Sequence, residues 1–140
     1  MQSTGYHFYQ QTDVITADPK RLLIMCYEGT IRSLTLAKAR YLSKEYEAKG
    51  KAIQNALDIL SELRESLDFE RGGGIAKNLD LLYGFMIRHI LWADQKKNVE
   101  AFDQVVNMLE ELKSAWEKVF YSHQEVENNY TLQRELISSL

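Results

Sequence analysis

The run Asp18-Pro19-Lys20-Arg21-Leu22-Leu23-Ile24-Met25-Cys26-Tyr27 decides the fold class. Asp18 carries the short acceptor side chain that caps a helix N-terminus. Pro19 sits where a missing N–H costs nothing and a fixed φ suits the first turn. It is also the only proline in 140 residues. Beyond it the apolar positions Leu23, Tyr27, Ile31, Leu34, Ala37 and Tyr41 recur at steps of three and four, and Leu22, Cys26, Gly29 and Leu36 add a second stripe beside them. The spacing predicts one long helix with two buried flanks.

Beyond that helix the polar stretch Ser43 to Gly50 holds a turn, and Ile53, Ala56, Leu60, Leu63 and Leu67 then follow the 3-4-3-4 spacing of a bundle seam. Gly72-Gly73-Gly74 interrupts the pattern. Three successive glycines lose too much backbone freedom for a helix interior, so they read as a loop where the chain turns back. The stripe resumes with Ile75, Leu79, Leu82, Met86, Ile90 and Ala93, widened by Leu81, Tyr83, Phe85, Ile87, Leu91 and Trp92 until the helix is apolar most of the way round. Asn98 is placed to cap a last helix on which Phe102, Val105, Leu109, Leu112, Trp116 and Val119 keep heptad spacing. The predicted fold is all-α, an antiparallel four-helix bundle with helices over about 18–43, 46–68, 75–95 and 98–120. An N-terminal capping segment, 1–17, precedes the bundle, and a polar tail, 121–140, follows it with a weak helical stripe of Val126, Tyr130, Ile137 and Leu140.

Composition narrows function mainly by exclusion. The chain is 45% hydrophobic and 26% charged, as one globular domain would be. Seventeen basic against twenty acidic residues give a net charge of −3 with the signs interleaved, which leaves little for neutralising nucleic-acid phosphates. The apolar run Leu81 to Ile87 is far short of the ~20 residues that span a bilayer, so no membrane insertion is expected. Met1-Gln2-Ser3-Thr4-Gly5 has neither the basic nor the apolar region of a secretory signal, and the expected location is the cytoplasm. One cysteine closes no intramolecular disulfide.

Catalytic and metal chemistry find no support. None of His7, His89 and His123 follows a glutamate by three residues, as the ligands of a di-metal bundle would. The glycine triplet lacks the Gly-Lys-Ser/Thr ending of a phosphate-binding loop. Cys26 falls on a core stripe, where a thiol is packing rather than nucleophile. Glu62, Glu65, Glu110 and Glu111 lie opposite the apolar seams, as on a solvated face. The expectation is a protein that is not an enzyme and holds neither cofactor nor metal. The signal that remains is excess apolar surface: Leu22, Leu81, Tyr83, Phe85 and Trp92 exceed what one stripe per helix absorbs. They either complete a generous core or form a groove for a partner helix.

Three separated motifs resemble the flagellar export chaperone FliS family. They are Tyr9-Gln10-Gln11-Thr12-Asp13-Val14-Ile15-Thr16-Ala17-Asp18-Pro19-Lys20-Arg21-Leu22-Leu23-Ile24-Met25-Cys26-Tyr27-Glu28-Gly29, then Leu67-Asp68-Phe69-Glu70 with its glycines, then Ile75-Ala76-Lys77-Asn78-Leu79 with Leu82-Tyr83. The resemblance runs from about Tyr6 to Phe120, with Cys26 where the family usually has leucine and Gly74 where an acidic residue is common. It implies a cytoplasmic chaperone that binds the C-terminal segment of flagellin in an apolar groove, prevents premature polymerisation and assists delivery to a flagellar export gate component. It further implies a client site of Leu22, Leu23, Tyr27 and Ile31 with Leu79, Leu82, Tyr83 and Met86, and an N-terminal lid of Tyr6, Phe8, Tyr9, Gln11 and Thr12. Asn78 is a candidate to hydrogen-bond client backbone or to brace the glycine turn. A monomer or weak dimer fits that role. The competing reading is a non-catalytic helical-bundle interaction or regulatory protein whose excess apolar surface closes a permanent homodimer.

Overall fold

The computed structural model describes residues 18–122 and 136–138. Four helices follow in order: α1 (Pro19–Leu42), α2 (Tyr46–Glu65), α3 (Phe69–Lys96) and α4 (Val99–Glu117), with a π-helical turn over Lys118–Ser122. α1 packs on α2 and α4, and α3 packs on the same two, so the helices form a ring with α1 and α3 at diagonal corners. Two- and three-residue connections make sequence neighbours antiparallel. This is the all-α four-helix bundle that the spacing predicts.

Local chemistry sets each boundary. Asp18 Oδ1 accepts the Arg21 amide at 2.7 Å and Pro19 opens α1. At its far end Lys44 takes a left-handed φ of 61°, and the Glu45 amide closes back on the Arg40 carbonyl at 2.8 Å. The Glu45 carboxylate accepts from Ser43 and Arg40, which hold its pKa below the usual carboxylate range. Lys97, also left-handed, ends α3, and Asn98 caps α4 by accepting the Ala101 amide at 3.3 Å.

Two expectations need correction. The second helix ends at Glu65 rather than near residue 68, because Asp68 is already the cap of the next helix. The glycine triplet is not a plain loop. Asp68 Oδ1 accepts the Glu70 and Arg71 amides, both at 3.1 Å, so a helical turn begins at Phe69, six residues before the predicted start at Ile75. The break is confined to Gly73, whose φ of 49° and ψ of −124° lie where only glycine is at ease. α3 is therefore kinked near its start.

The core is closed by the inward stripes. Leu34, Ala37, Ala56, Ile59, Leu60, Met86, Ile90, Ala93, Val105 and Leu109 are wholly buried. The buried Thr30 Oγ1 donates to the Cys26 carbonyl one turn back at 2.8 Å, and the buried Ser33 hydroxyl accepts from Asn55 of α2. Lys38 on Asp103, Lys49 on Asp94 and Arg64 on Asp80, each at 2.7 Å, tie neighbouring helices at the surface. Such partly exposed pairs set register more than they add stability. Arg64 lies flat over Gly84, where a Cβ would meet its guanidinium at 3.0 Å.

Candidate functional site

α3 is apolar on two faces, and the bundle uses one. Its inner face, Leu79, Tyr83, Met86, Ile90 and Ala93, is buried. Its outer face presents Leu81, Phe85 and Trp92, exposed by 68%, 43% and 43%. With Arg88 between them these positions step by 4, 3 and 4 along one side of the helix, the spacing of a seam awaiting a second helix. The face is also ordered. The Phe85 ring stacks on His89 at 5.2 Å between centroids, and His89 on Trp92 at 5.5 Å. His89 Nε2 donates to Gln104 Oε1 of α4 at 2.7 Å, which holds this aromatic row against turning. His89, half-buried, thus bridges two exposed rings.

A second apolar region lies at the kinked end. A cleft of about 330 Å³ is lined by Leu23, Leu63, Leu67, Ile75, Ala76, Leu79, Tyr83 and Trp116, with Ser66, Asp68, Arg71 and Gly72 also contributing. The kink at Gly73 lies beside it, with Gly72 in its wall. Beneath it three polar groups meet. Trp116 Nε1 donates to Tyr27 Oη at 3.0 Å, and Tyr27 Oη lies 2.6 Å from Tyr83 Oη, joining α4, α1 and α3 across the bundle. The two tyrosine rings meet edge to face at 6.4 Å. Burial raises both phenols above their ordinary pKa, so both stay protonated at neutral pH.

The residues expected to form one groove are divided by the ring arrangement of the helices. Tyr27 and Met86 are fully buried and Tyr83 nearly so. Leu22, Leu23 and Ile31 are half-buried against the core, and Leu82 is half-buried. Since α1 and α3 are diagonal, their inner faces meet inside the bundle, where Tyr27 touches Tyr83, and of the expected groove residues Leu23, Leu79 and Tyr83 line the cleft. Asn78 is exposed. Tyr6, Phe8, Tyr9, Gln11 and Thr12 lie outside the described residues. Trp116 was legible only as a seam residue; the signal for more was an indole N–H at the end of an apolar stripe, since a half-buried Trp seeks a partner for it.

Nucleophilic chemistry has no foothold at Cys26. Burial, with the Glu62 carboxylate adding to it, pushes the thiol up to about 11, so no thiolate forms at neutral pH. Among the described residues no group of three or more His, Cys, Asp or Glu is placed to hold a metal ion. No helix among them is long and apolar enough to cross a membrane.

Comparison with known proteins places the chain among relatives of one family. Residues 1–123 match the family model for flagellar protein FliS. The chain is 39% identical over 103 residues to the flagellar secretion chaperone FliS of Vibrio cholerae, covering 74% of this chain and 76% of that one. It is 36% identical over 115 residues to the flagellar secretion chaperone FliSB of Pseudomonas aeruginosa, covering 79% and 91% of the two chains. The Salmonella typhimurium flagellar secretion chaperone FliS is 33% identical over 122 residues, covering 84% and 90%.

Proposed function

The chain belongs to the FliS family of flagellar secretion chaperones, and from that premise we propose that it binds the C-terminal segment of flagellin, keeps it from polymerising before export and assists its delivery to the flagellar secretion apparatus. The observation that carries the proposal is the outer face of α3: Leu81, Phe85 and Trp92 are exposed in helix-docking register on a bundle whose core is complete without them. An amphipathic client helix covers such a stripe with anchors at i, i+3, i+4 and i+7. The same contact would satisfy the client face that otherwise drives filament assembly. The half-buried Leu22, Leu23, Ile31 and Leu82, together with Leu79, extend the apolar surface available to the client, while Tyr27, Tyr83 and Met86 support it from inside. Tyr6, Phe8, Tyr9, Gln11 and Thr12 are proposed as the lid that a client displaces. Delivery is read as contact with a component of the export gate, made in the cytoplasm. A client that folds as it binds loses conformational entropy, which tempers affinity and suits later release.

Calorimetry of the full chain against the C-terminal segment of flagellin from the same organism tests this. Binding with a large negative heat-capacity change is expected. Phe85→Glu should abolish the heat while circular dichroism stays helical. No binding of the unsubstituted chain at micromolar concentration would overturn the proposal. Light scattering on dilute client-free protein separates it from the homodimer reading, since a chaperone awaiting its client is monomeric and an obligate dimer persists.

A further inference from the structure

Along the chain the charges are interleaved in sign, but the fold sorts them. From Lys77 onward the exposed charges of α3 are Lys77, Arg88 and Lys96, all basic, while those of α4 are Glu100, Glu110 and Glu111, all acidic. The acids of that part of α3 are turned to α2, where Arg64 takes Asp80 and Lys49 takes Asp94, each at 2.7 Å. Two neighbouring helices therefore show solvent opposite signs. The line where they meet runs beside the aromatic row. His89 reaches Gln104 across it at 2.7 Å and so marks the α4 side of the stripe of Leu81, Phe85 and Trp92. At about 100° per residue, Lys77 and Arg88 fall on the opposite border, three turns apart on one line of α3. Glu100 and Glu111, also three turns apart, share the line of Gln104 on α4. The apolar stripe runs between a basic border and an acidic one.

These borders specify the kind of helix that covers the stripe. Apolar anchors alone would let a client helix lie in either direction and slip by a turn. Charges beside an apolar seam set partner, direction and register, as they do beside the seam of a coiled coil. We propose that the client helix carries carboxylates along one border of its apolar stripe and ammonium or guanidinium groups along the other, and docks with the carboxylates over Lys77 and Arg88 and the basic groups over Glu100 and Glu111. An α-helix has one hand, so only one direction of docking satisfies both borders. The inference rests on the client reading above and adds the charge pattern and the direction of the bound helix. Because these side chains stand in solvent, their pairs act on the choice and direction of the client more than on overall affinity.

The test uses the full chain and a synthetic peptide of the flagellin C-terminal segment from the same organism. Arg88→Glu and Glu111→Lys should each weaken binding about three- to tenfold at low salt, an attraction turned into a repulsion, while circular dichroism stays helical. Both losses should fade in about 1 M salt, where the Debye length is about 3 Å. A scan of the peptide that reverses one charge at a time should find an acid whose reversal restores binding to Arg88→Glu, and a base whose reversal restores it to Glu111→Lys. The two rescuing positions should lie on opposite borders of the peptide's apolar stripe. Binding indifferent to both substitutions, rescue by no reversal, or both rescues on one border overturns the inference and leaves the client reading standing. Salt-dependent dimers of client-free protein in light scattering give the stripe to a second copy of the chain and overturn the inference as well. No heat with the unsubstituted protein and peptide overturns the client reading, and the inference with it.

Discussion

The inner and outer faces of α3 are made of similar residues and have opposite fates. Met86 and Ile90 on the inner face are wholly buried, while Leu81, Phe85 and Trp92 on the outer face meet solvent. Folding removes the first set from water and gains stability from it. The second set adds less to the isolated domain and, left bare, invites association. The difference teaches that hydrophobicity along a helix reports two quantities at once, what the fold needs and what a partner needs, and only the neighbours of each face tell them apart.

The inner face is where a substitution should cost most. Met86→Ala leaves a cavity in the closed core and should cost about 2–5 kcal/mol in urea unfolding. A smaller effect should come from the kink: Gly73→Ala forces a side chain onto a φ of 49°, at about 1–3 kcal/mol, and should disturb the cleft beside it while leaving the outer face as it is, which a retained Trp92 signal in fluorine NMR of fluorotryptophan-labelled protein would show. Alkali sharpens the contrast next. The Cys26 thiol rises from 9.0 to about 11 on folding, so the unfolded chain loses its proton first. Its contribution to stability is intact below pH 9 and falls by about 1.4 kcal/mol per pH unit until the folded thiol titrates. Cys26→Ala should flatten that slope between pH 9 and 10 in urea titrations. Above about pH 10 the two buried tyrosines add a decline of the same sign. The smallest stability change belongs to the outer face, where Leu81→Glu should move unfolding by no more than about 0.5 kcal/mol, yet weaken the client's binding heat severely.

Much of this was legible before any coordinates. The seam of α2, from Ile53 through Ala56 and Leu60 to Leu63, is buried as its spacing predicts, because an amphipathic helix with one apolar stripe has one way to face a core. The caps Asp18 and Asn98 were readable because capping is local. Three features were not. The turn at Phe69 depends on Asp68 gathering two amides, which outweighs the glycines beyond it for one turn. Val119 keeps heptad spacing on paper but is exposed, because the π-helical turn at Lys118–Ser122 admits extra residues per turn and rotates the stripe off the core. The groove residues were the hardest. Period alone places Leu23 and Leu79 on apolar stripes, but which of two stripes faces inward depends on where the other helices stand, and the diagonal placement of α1 and α3 turns Tyr27 and Met86 into core.

The central claim is that the outer face of α3 is apolar surface held ready for a client. Fluorine NMR of fluorotryptophan-labelled protein, titrated with the flagellin C-terminal segment, reads that face through Trp92 alone. The account predicts that the Trp92 signal shifts and saturates at the stoichiometry that calorimetry gives. A client that binds while the Trp92 signal stays where it began would contradict it.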